Sequence, residues 1–563
     1  MNFTVAYRGR SGISGTSSGM SLSFAPNLRR DRVSFIGDLQ TPLRFREAVS
    51  ALHSIVVSDL KYKAKDRSAY QAYLKRVQER ENSIRRLAYQ KASEQLHRQE
   101  IEPMPAGLEG RFKSLREKYW ATRLRYSEYL CKNDPALWRL LVPCDPVVTV
   151  APDVLFFECF SKDESSYGCL TVDREAFAAQ GDVALGTTNV DYSLALFEEF
   201  QRLRTYRRTR FAVDPAGFEV STEGAADYRE EKIDLPPSWL RGLMQLQAAM
   251  SVAARKISVS REGLYNLLAW LKRHRARKSP RGLRYELTPG QPVQIVIEPW
   301  EARIKLHDHP YAGETAETIR TWGRDRLLTL ARLLPLVESA DVFLLGTGLP
   351  SFWSVRMGEM RLLLGLSGWT ANDWTSGGGA LADLAPPAEP SEDLLGDIAA
   401  AFRDSPSLTF EQVRSRTGAA PHLVAAGLNR FALLGQLIHD LSAGVYRWRQ
   451  ILPVELWLKQ VKIDSPEAAA AKDLVARGRV RIERDESVGG VRIIAGQAES
   501  RKSEIVVDAD GKVVRGQCNC SQYYQFKLRQ GPCRHMQALR RAATGERSPG
   551  TLEQWYRSLI GGR

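Results

Sequence analysis

Four side chains near one end of the chain constrain it more than anything else: Cys518-Asn519-Cys520, then twelve residues, then Cys533-Arg534-His535. Three sulfurs and one imidazole in a Cys-x-Cys, Cys-x-His arrangement supply the S₃N set that a tetrahedral zinc ion accepts. All four positions are filled by protein, so no coordination site is left for a water, and the ion expected here is structural. The flanks predict the local fold. Ser503 to Val507, the turn Asp508-Ala509-Asp510-Gly511 and Lys512 to Arg515 read as a β-hairpin leading into the first ligand pair, and Arg534 through Met536 and Leu539 to about Ala543 reads as a helix after Pro532.

Two strands, a CxC pair, a CxH pair and a short helix resemble the SWIM zinc finger over about residues 491–545. The resemblance implies one bound zinc ion and a role in binding DNA or protein. Further upstream, Ser260-Arg261-Glu262-Gly263-Leu264-Tyr265, Ser279-Pro280-Arg281-Gly282-Leu283-Arg284 and Leu366-Ser367-Gly368-Trp369-Thr370 are similar to bacterial SWIM proteins encoded beside MoxR-like AAA+ ATPases and von Willebrand A proteins. That company implies an accessory or adaptor subunit, with those two protein classes as partners.

The ligand cluster occupies a small part of 563 residues, a length that calls for several structural units. The expected class is multidomain α+β. A β-rich unit spans 1–60, and a basic helical hairpin spans 61–132. A mixed α/β body covers 133–375, and a Gly/Pro linker from Ser376 to about Pro390 (376–391) follows. A winged-helix-like module (392–451), a connecting segment (452–490), the zinc finger (491–545) and a tail (546–563) complete the chain. Within the body, Trp239 to Leu271 reads as two helices, the second capped near Ser260, and Thr318 to Leu334 reads as one more. Cys131, Cys144, Cys159 and Cys169 are spaced as core thiols rather than ligands. No apolar run is long enough for a membrane span and no signal peptide is visible, so the expectation is a cytoplasmic protein with no membrane partner.

Charge narrows the partners. Against 65 acidic residues stand 80 Lys and Arg, a net +15 that attracts polyanions. Residues 61–130 hold 17 basic and 9 acidic side chains, so more than half of the excess is local. A second concentration is Lys272-Arg273-His274-Arg275-Ala276-Arg277-Lys278, whose Lys272, Arg273, Arg275, Arg277 and Lys278 are candidate contacts to nucleic acid or an acidic partner.

After the linker, Leu394, Leu395, Ile398 and Phe402 share a helical spacing. A short helix from about Phe410 to Arg416 comes next, and a third begins at Pro421. A hairpin around Ser442-Ala443-Gly444 closes the segment, whose order resembles a winged helix. In that superfamily the third helix and the hairpin touch DNA, which makes His422, Asn429, Arg430, Arg447 and Arg449 the candidates. Ala425, Ala426 and Gly427 offer a major groove nothing to read with, so a protein-docking or purely structural role stays open.

A catalytic engine is not evident. Neither Gly346-Thr347-Gly348 nor Gly377-Gly378-Gly379 is followed by the Lys-Ser/Thr of a phosphate-binding loop. Gly15-Thr16-Ser17-Ser18-Gly19 fits the letter of a nucleophile elbow but precedes a strand rather than a helix. His307 and His309 share a strand face with no third ligand in sight. The expectation is a non-enzymatic zinc protein that recruits or bridges protein partners, with sequence-tolerant DNA binding as the alternative.

Overall fold

In a computed structural model, the strands that look most apolar in the sequence occupy the interior of one large sheet. Its order is Arg255–Ser260, Ser339–Leu344, Ser351–Met357, Met360–Leu366, Ser166–Asp173, Val154–Phe160, Val147–Val150 and Gly186–Asn189, antiparallel throughout. All seven residues of Val154–Phe160 are buried, because both faces of this sheet are covered, and a doubly covered strand has no polar face to alternate with. The structure describes residues 3–8, 12–15, 19–24, 26, 32–58, helical positions scattered over 110–133, 146–179, 183–190, 200–213 without 202 and 207, 229–235, 237–275, 281–368, 374, 382–451 without 387, and 466–544 without 489, 529 and 530.

Helix α1 (Pro42–Val56) lies on the large sheet closely enough that a Cβ on Gly168 would stand 2.7 Å from Leu52. A five-stranded sheet joins Gly12–Gly15, Gly19–Phe24, Arg208–Val213, Phe35–Leu39 and Phe177–Ala179, and its Phe24, Phe35, Phe177 and Phe211 pack with Phe45 and Phe157 in one aromatic cluster. The N-terminal strands are thus partners of strands more than a hundred residues away, and residues 1–58 form one compact unit with 144–563 rather than a unit of their own. Residues 59–143 form the other unit. The expected helical hairpin lies there, largely outside the described residues, and its described positions, such as Gly110, Leu115 and Tyr129, are helical and exposed.

The middle of the chain departs from expectation in two places. Between helices α2 (Pro237–Met250) and α3 (Arg261–Arg273) runs the edge strand Arg255–Ser260, whose alternation over six residues was hidden between two longer helical patterns. Ser260 does cap α3, its hydroxyl accepting from the Gly263 amide at 3.2 Å. Thr318 to Leu334 is not one helix. Glu317–Thr321 pairs with Leu283–Leu287 in a four-stranded sheet, Gly323 turns the chain at φ 86°, and Arg324–Leu333 continues as a 3-10 helix.

Three helices, α4 (Glu392–Ala401), α5 (Phe410–Thr417) and α6 (Pro421–Leu433), share a small core with a three-stranded sheet of Ser407–Leu408, Val445–Trp448 and Leu437–Asp440. Thr409 and Gln412 form a reciprocal capping box at the start of α5, and Gly418 ends it in the left-handed conformation. The expected linker is only partly a spacer. Gly377–Gly379 lie outside the described residues, but Asp383, Leu384 and Ala385 are buried.

Candidate metal centre

The C-terminal module is a four-stranded antiparallel sheet of Val480–Val488, Val491–Ala498, Arg501–Val507 and Val513–Cys518, with helices α7 (Pro466–Ala476), α8 (Ser521–Phe526) and α9 (Arg534–Ala543). The hairpin and α9 stand where the sequence places them. The first strand and α7 fall in what reads as a connecting segment, so the module begins at least as early as Pro466. Its tail, 546–563, lies outside the described residues.

Each ligand candidate sits at the end of an element. Cys518 closes the last strand, Cys520 is the N-cap of α8 and Cys533 the N-cap of α9, with His535 in the first turn. Helix N-termini favour negative charge, which suits thiolates there. Their four ligand atoms lie within 4.8 Å of one another and all four residues are buried. His535 Nδ1 is 3.8 Å from Cys518 Sγ and 3.9 Å from Cys533 Sγ. A tetrahedron built on zinc–sulfur bonds of ~2.3 Å and a zinc–nitrogen bond of ~2.0 Å has edges of about 3.5–3.8 Å, so the cluster is close to the size that encloses such an ion. This group could hold a metal ion.

The surroundings prepare the sulfurs. Ser503 Oγ donates to Cys518 Sγ at 3.0 Å and the Tyr523 amide to Cys520 Sγ at 3.4 Å. A hydrogen bond from the Cys533 thiol holds the Cys518 thiol well below the ordinary thiol range against the cost of burial, with His535 and Ser503 helping. The same bond, together with burial, pushes the Cys533 thiol up, and binding of a metal ion displaces thiol protons. Nε2 of His535 faces Glu499 Oε2 at 3.7 Å, the side on which metal-binding imidazoles usually find a carboxylate. Cys533 makes no side-chain cap to α9; Glu467 of α7 serves instead, accepting from the Arg534 amide at 2.8 Å and from its guanidinium at 2.8 and 3.1 Å.

Ser503 was legible only in part. It lies on the expected hairpin, but counting back from the turn, where Val507 faces Val513, sets it opposite Gln517, and a register shift between Val506 and Val507 brings it to Cys518 instead. Glu467 and Glu499 carry no such local signal, because they reach the site through tertiary packing.

The other candidates scatter. Arg447 and Arg449 do not face solvent, and the expectation that they offer cations to phosphate is corrected. Arg447 is paired with Asp153 at 2.7 Å and Asp440 at 3.1 Å, and Arg449 with Glu158, which also accepts from Tyr167. These pairs tie the hairpin to the large sheet. Asn429 is buried too, donating to Ser251 Oγ at 2.6 Å where α6 packs on α2, and Ala425, Ala426 and Gly427 are buried beside it. The third helix therefore turns its middle to the body rather than to a groove. Arg430 is half-buried and His422 exposed. Lys272 and Arg273 end α3 and, with Arg275, are exposed; Arg277 and Lys278 lie outside the described residues.

No family model matches the chain, and no curated protein matches it. Among solved structures it is similar to the Proliferating Cellular Nuclear Antigen from Entamoeba histolytica, at 11% identity over 40% of this chain and 89% of that one, with a TM-score of 0.26.

Elsewhere, Cys159 and Cys169 are buried core thiols, and Cys131 and Cys144 lie outside the described residues. Gly15 ends one strand and Gly19 begins the antiparallel strand paired with it, and His307 and His309 are exposed on the strand Ala302–Pro310. No described helix is long and apolar enough to cross a membrane.

Proposed function

We propose that the chain is a zinc-bound, non-enzymatic accessory protein of SWIM type that bridges protein partners. The observation that carries this is the closed, buried set Cys518, Cys520, Cys533 and His535, in which four protein ligands use every tetrahedral position. Such an ion organises a surface and leaves no site for substrate. In support, α4, α5, α6 and their hairpin have the element order of a winged helix, held against the body by buried ion pairs and by α2, as a docking module would be. Duplex reading by α6 is disfavoured because its middle is covered. The bacterial resemblance supplies the partner classes, a MoxR-like AAA+ ATPase and a von Willebrand A protein.

Two measurements test the reading. Elemental analysis of the purified chain should give one zinc per molecule, and Cys533→Ser should lose it. Size-exclusion chromatography with a purified MoxR-like AAA+ ATPase and a von Willebrand A protein from the same organism should show a complex that Cys533→Ser weakens. A wild-type chain free of zinc, or one that elutes alone from both proteins, overturns it.

A further inference from the structure

The metal centre leaves unused an aromatic group at the end of α3. His274 stacks on Trp270 with centroids 4.0 Å apart and planes 18° from parallel, and Trp300, from the turn after Pro292–Ile297, meets Trp270 edge-on at 4.9 Å. Behind Trp300 lies the buried guanidinium of Arg324, 5.1 Å from the ring centroid and donating to the Glu298 and Gly282 carbonyls. The indole is therefore held in place yet remains 40% exposed, and His274 is exposed as well. Keeping a tryptophan pinned and half in water costs hydrophobic stabilisation that burial would return.

Cations surround this group. Lys272, Arg273 and Arg275 are exposed on either side of His274, and Arg281, also exposed, is near enough to Arg324 to act on it electrostatically. Of the neighbouring carboxylates, Glu301 is engaged by Arg284 at 2.5 Å and Glu298 by Arg320 at 2.6 Å, which leaves Asp325 beside the excess of positive charge.

We infer that Trp270, His274 and Trp300, with Lys272, Arg273 and Arg275, form a binding platform for single-stranded nucleic acid, unpaired bases stacking on the rings and phosphates meeting the cations. Rings fixed in place beside mobile cations are what sequence-tolerant single-strand binding uses, whereas bases in a duplex cannot reach a ring face. A lipid surface fits less well. It would call for exposed aliphatic side chains to insert, and the large apolar side chains exposed on α3 and on the turn at Trp300 are Tyr265 and Trp300 alone.

The test uses the full-length zinc-loaded chain and a fluorescein-labelled oligothymidylate of about 20 nucleotides, longer than the ~4–16 that one such site covers. Anisotropy titrations should show binding that weakens as salt rises. Trp300→Ala should weaken it about tenfold or more and Trp300→Phe should restore most of the loss. Reversing Lys272, Arg273 and Arg275 together to Glu, at exposed positions that leave the melting profile unchanged, should abolish it. The inference is overturned if Trp300→Ala binds like the wild type, if a duplex of the same length binds as tightly as the single strand, or if the charge reversal changes only sedimentation with phosphatidylserine vesicles.

Discussion

His439 is locked by two neighbours: its Nδ1 donates to the Met250 carbonyl at 2.7 Å, and its ring stacks on Tyr446 with centroids 4.3 Å apart. Burial holds its pKa down to about 4, and the positive charge of Lys512 acts in the same direction. The folded value is below the unfolded value near 6.5, so between them the unfolded chain binds the extra proton. The stabilisation from a neutral His439 is complete above about pH 6.5 and is lost as pH falls towards 4, roughly 3 kcal/mol in all. Urea titrations at pH 7.5 and 5 should show a drop in stability that is smaller in His439→Gln; equal drops would mean that His439 contributes nothing to the acid sensitivity. Arg449 is the second residue on which the same interface depends. Its partner Glu158 is fully buried on the large sheet, and Arg449→Met would leave that carboxylate without its cation, at a cost of about 3–5 kcal/mol. A melting temperature within a degree or two of the wild type would refute this. Neither role is visible from the sequence, where Arg447 and Arg449 read as surface cations of a hairpin. Asp153 and Glu158, the carboxylates that tie them to the sheet, are nearly three hundred residues earlier, and only the fold brings them together.

Among the elements, the hairpin and helix of the zinc module were legible because ligand spacing, a polar turn and a helical period all fall within some forty residues. The strand Val480–Val488 was not, since its residues are mostly exposed and its run Glu483-Arg484-Asp485-Glu486 has no alternation to read. Nor was α7, whose alanines give it no pronounced apolar face. The small residues of α6, which offer a groove nothing to read with, have close packing as their physical reason: a Cβ on Gly427 would stand 2.5 Å from Ile398 Cδ1. Gly496 plays the same part in the sheet. A Cβ there would lie 2.2 Å from the Arg481 carbonyl oxygen, at the register shift between Ile482 and Arg484. Backbone cannot move aside as a side chain can, so Gly496→Ala should destabilise the module by about 1–3 kcal/mol. The check is the zinc-dependent transition in calorimetry, which should move down while the main transition stays; an unmoved zinc transition would show that the sheet gives way without cost.

At the scale of the whole molecule, two of the contacts that fasten the zinc module to the body bear most directly on its site. Asp383, in the segment that reads as linker, accepts from Gln537 Nε2 at 3.1 Å through its carboxylate and from Arg540 at 2.9 Å through its carbonyl, and both donors are on α9. Arg255 is the other fastening. It starts the edge strand of the large sheet, pairs with Glu317 at 2.6 and 3.0 Å, donates to the Leu345 carbonyl at 2.9 Å, and reaches the Val514 carbonyl in the zinc-proximal hairpin at 2.8 Å. One guanidinium thus spans the body and the strand that ends in Cys518. Replacing it with methionine keeps much of the apolar stem but removes every donor, leaving Glu317 without this partner and the Val514 carbonyl without this bond. The four ligands are untouched, so Arg255→Met should retain its zinc while amide hydrogen exchange quickens along Val513–Cys518 and the adjoining strand Arg501–Val507. Loss of zinc together with the faster exchange would mean that the site depends on the body to fold. Unchanged exchange would mean that the other contacts, those of Asp383 and the Lys472–Glu389 pair among them, hold the module in place.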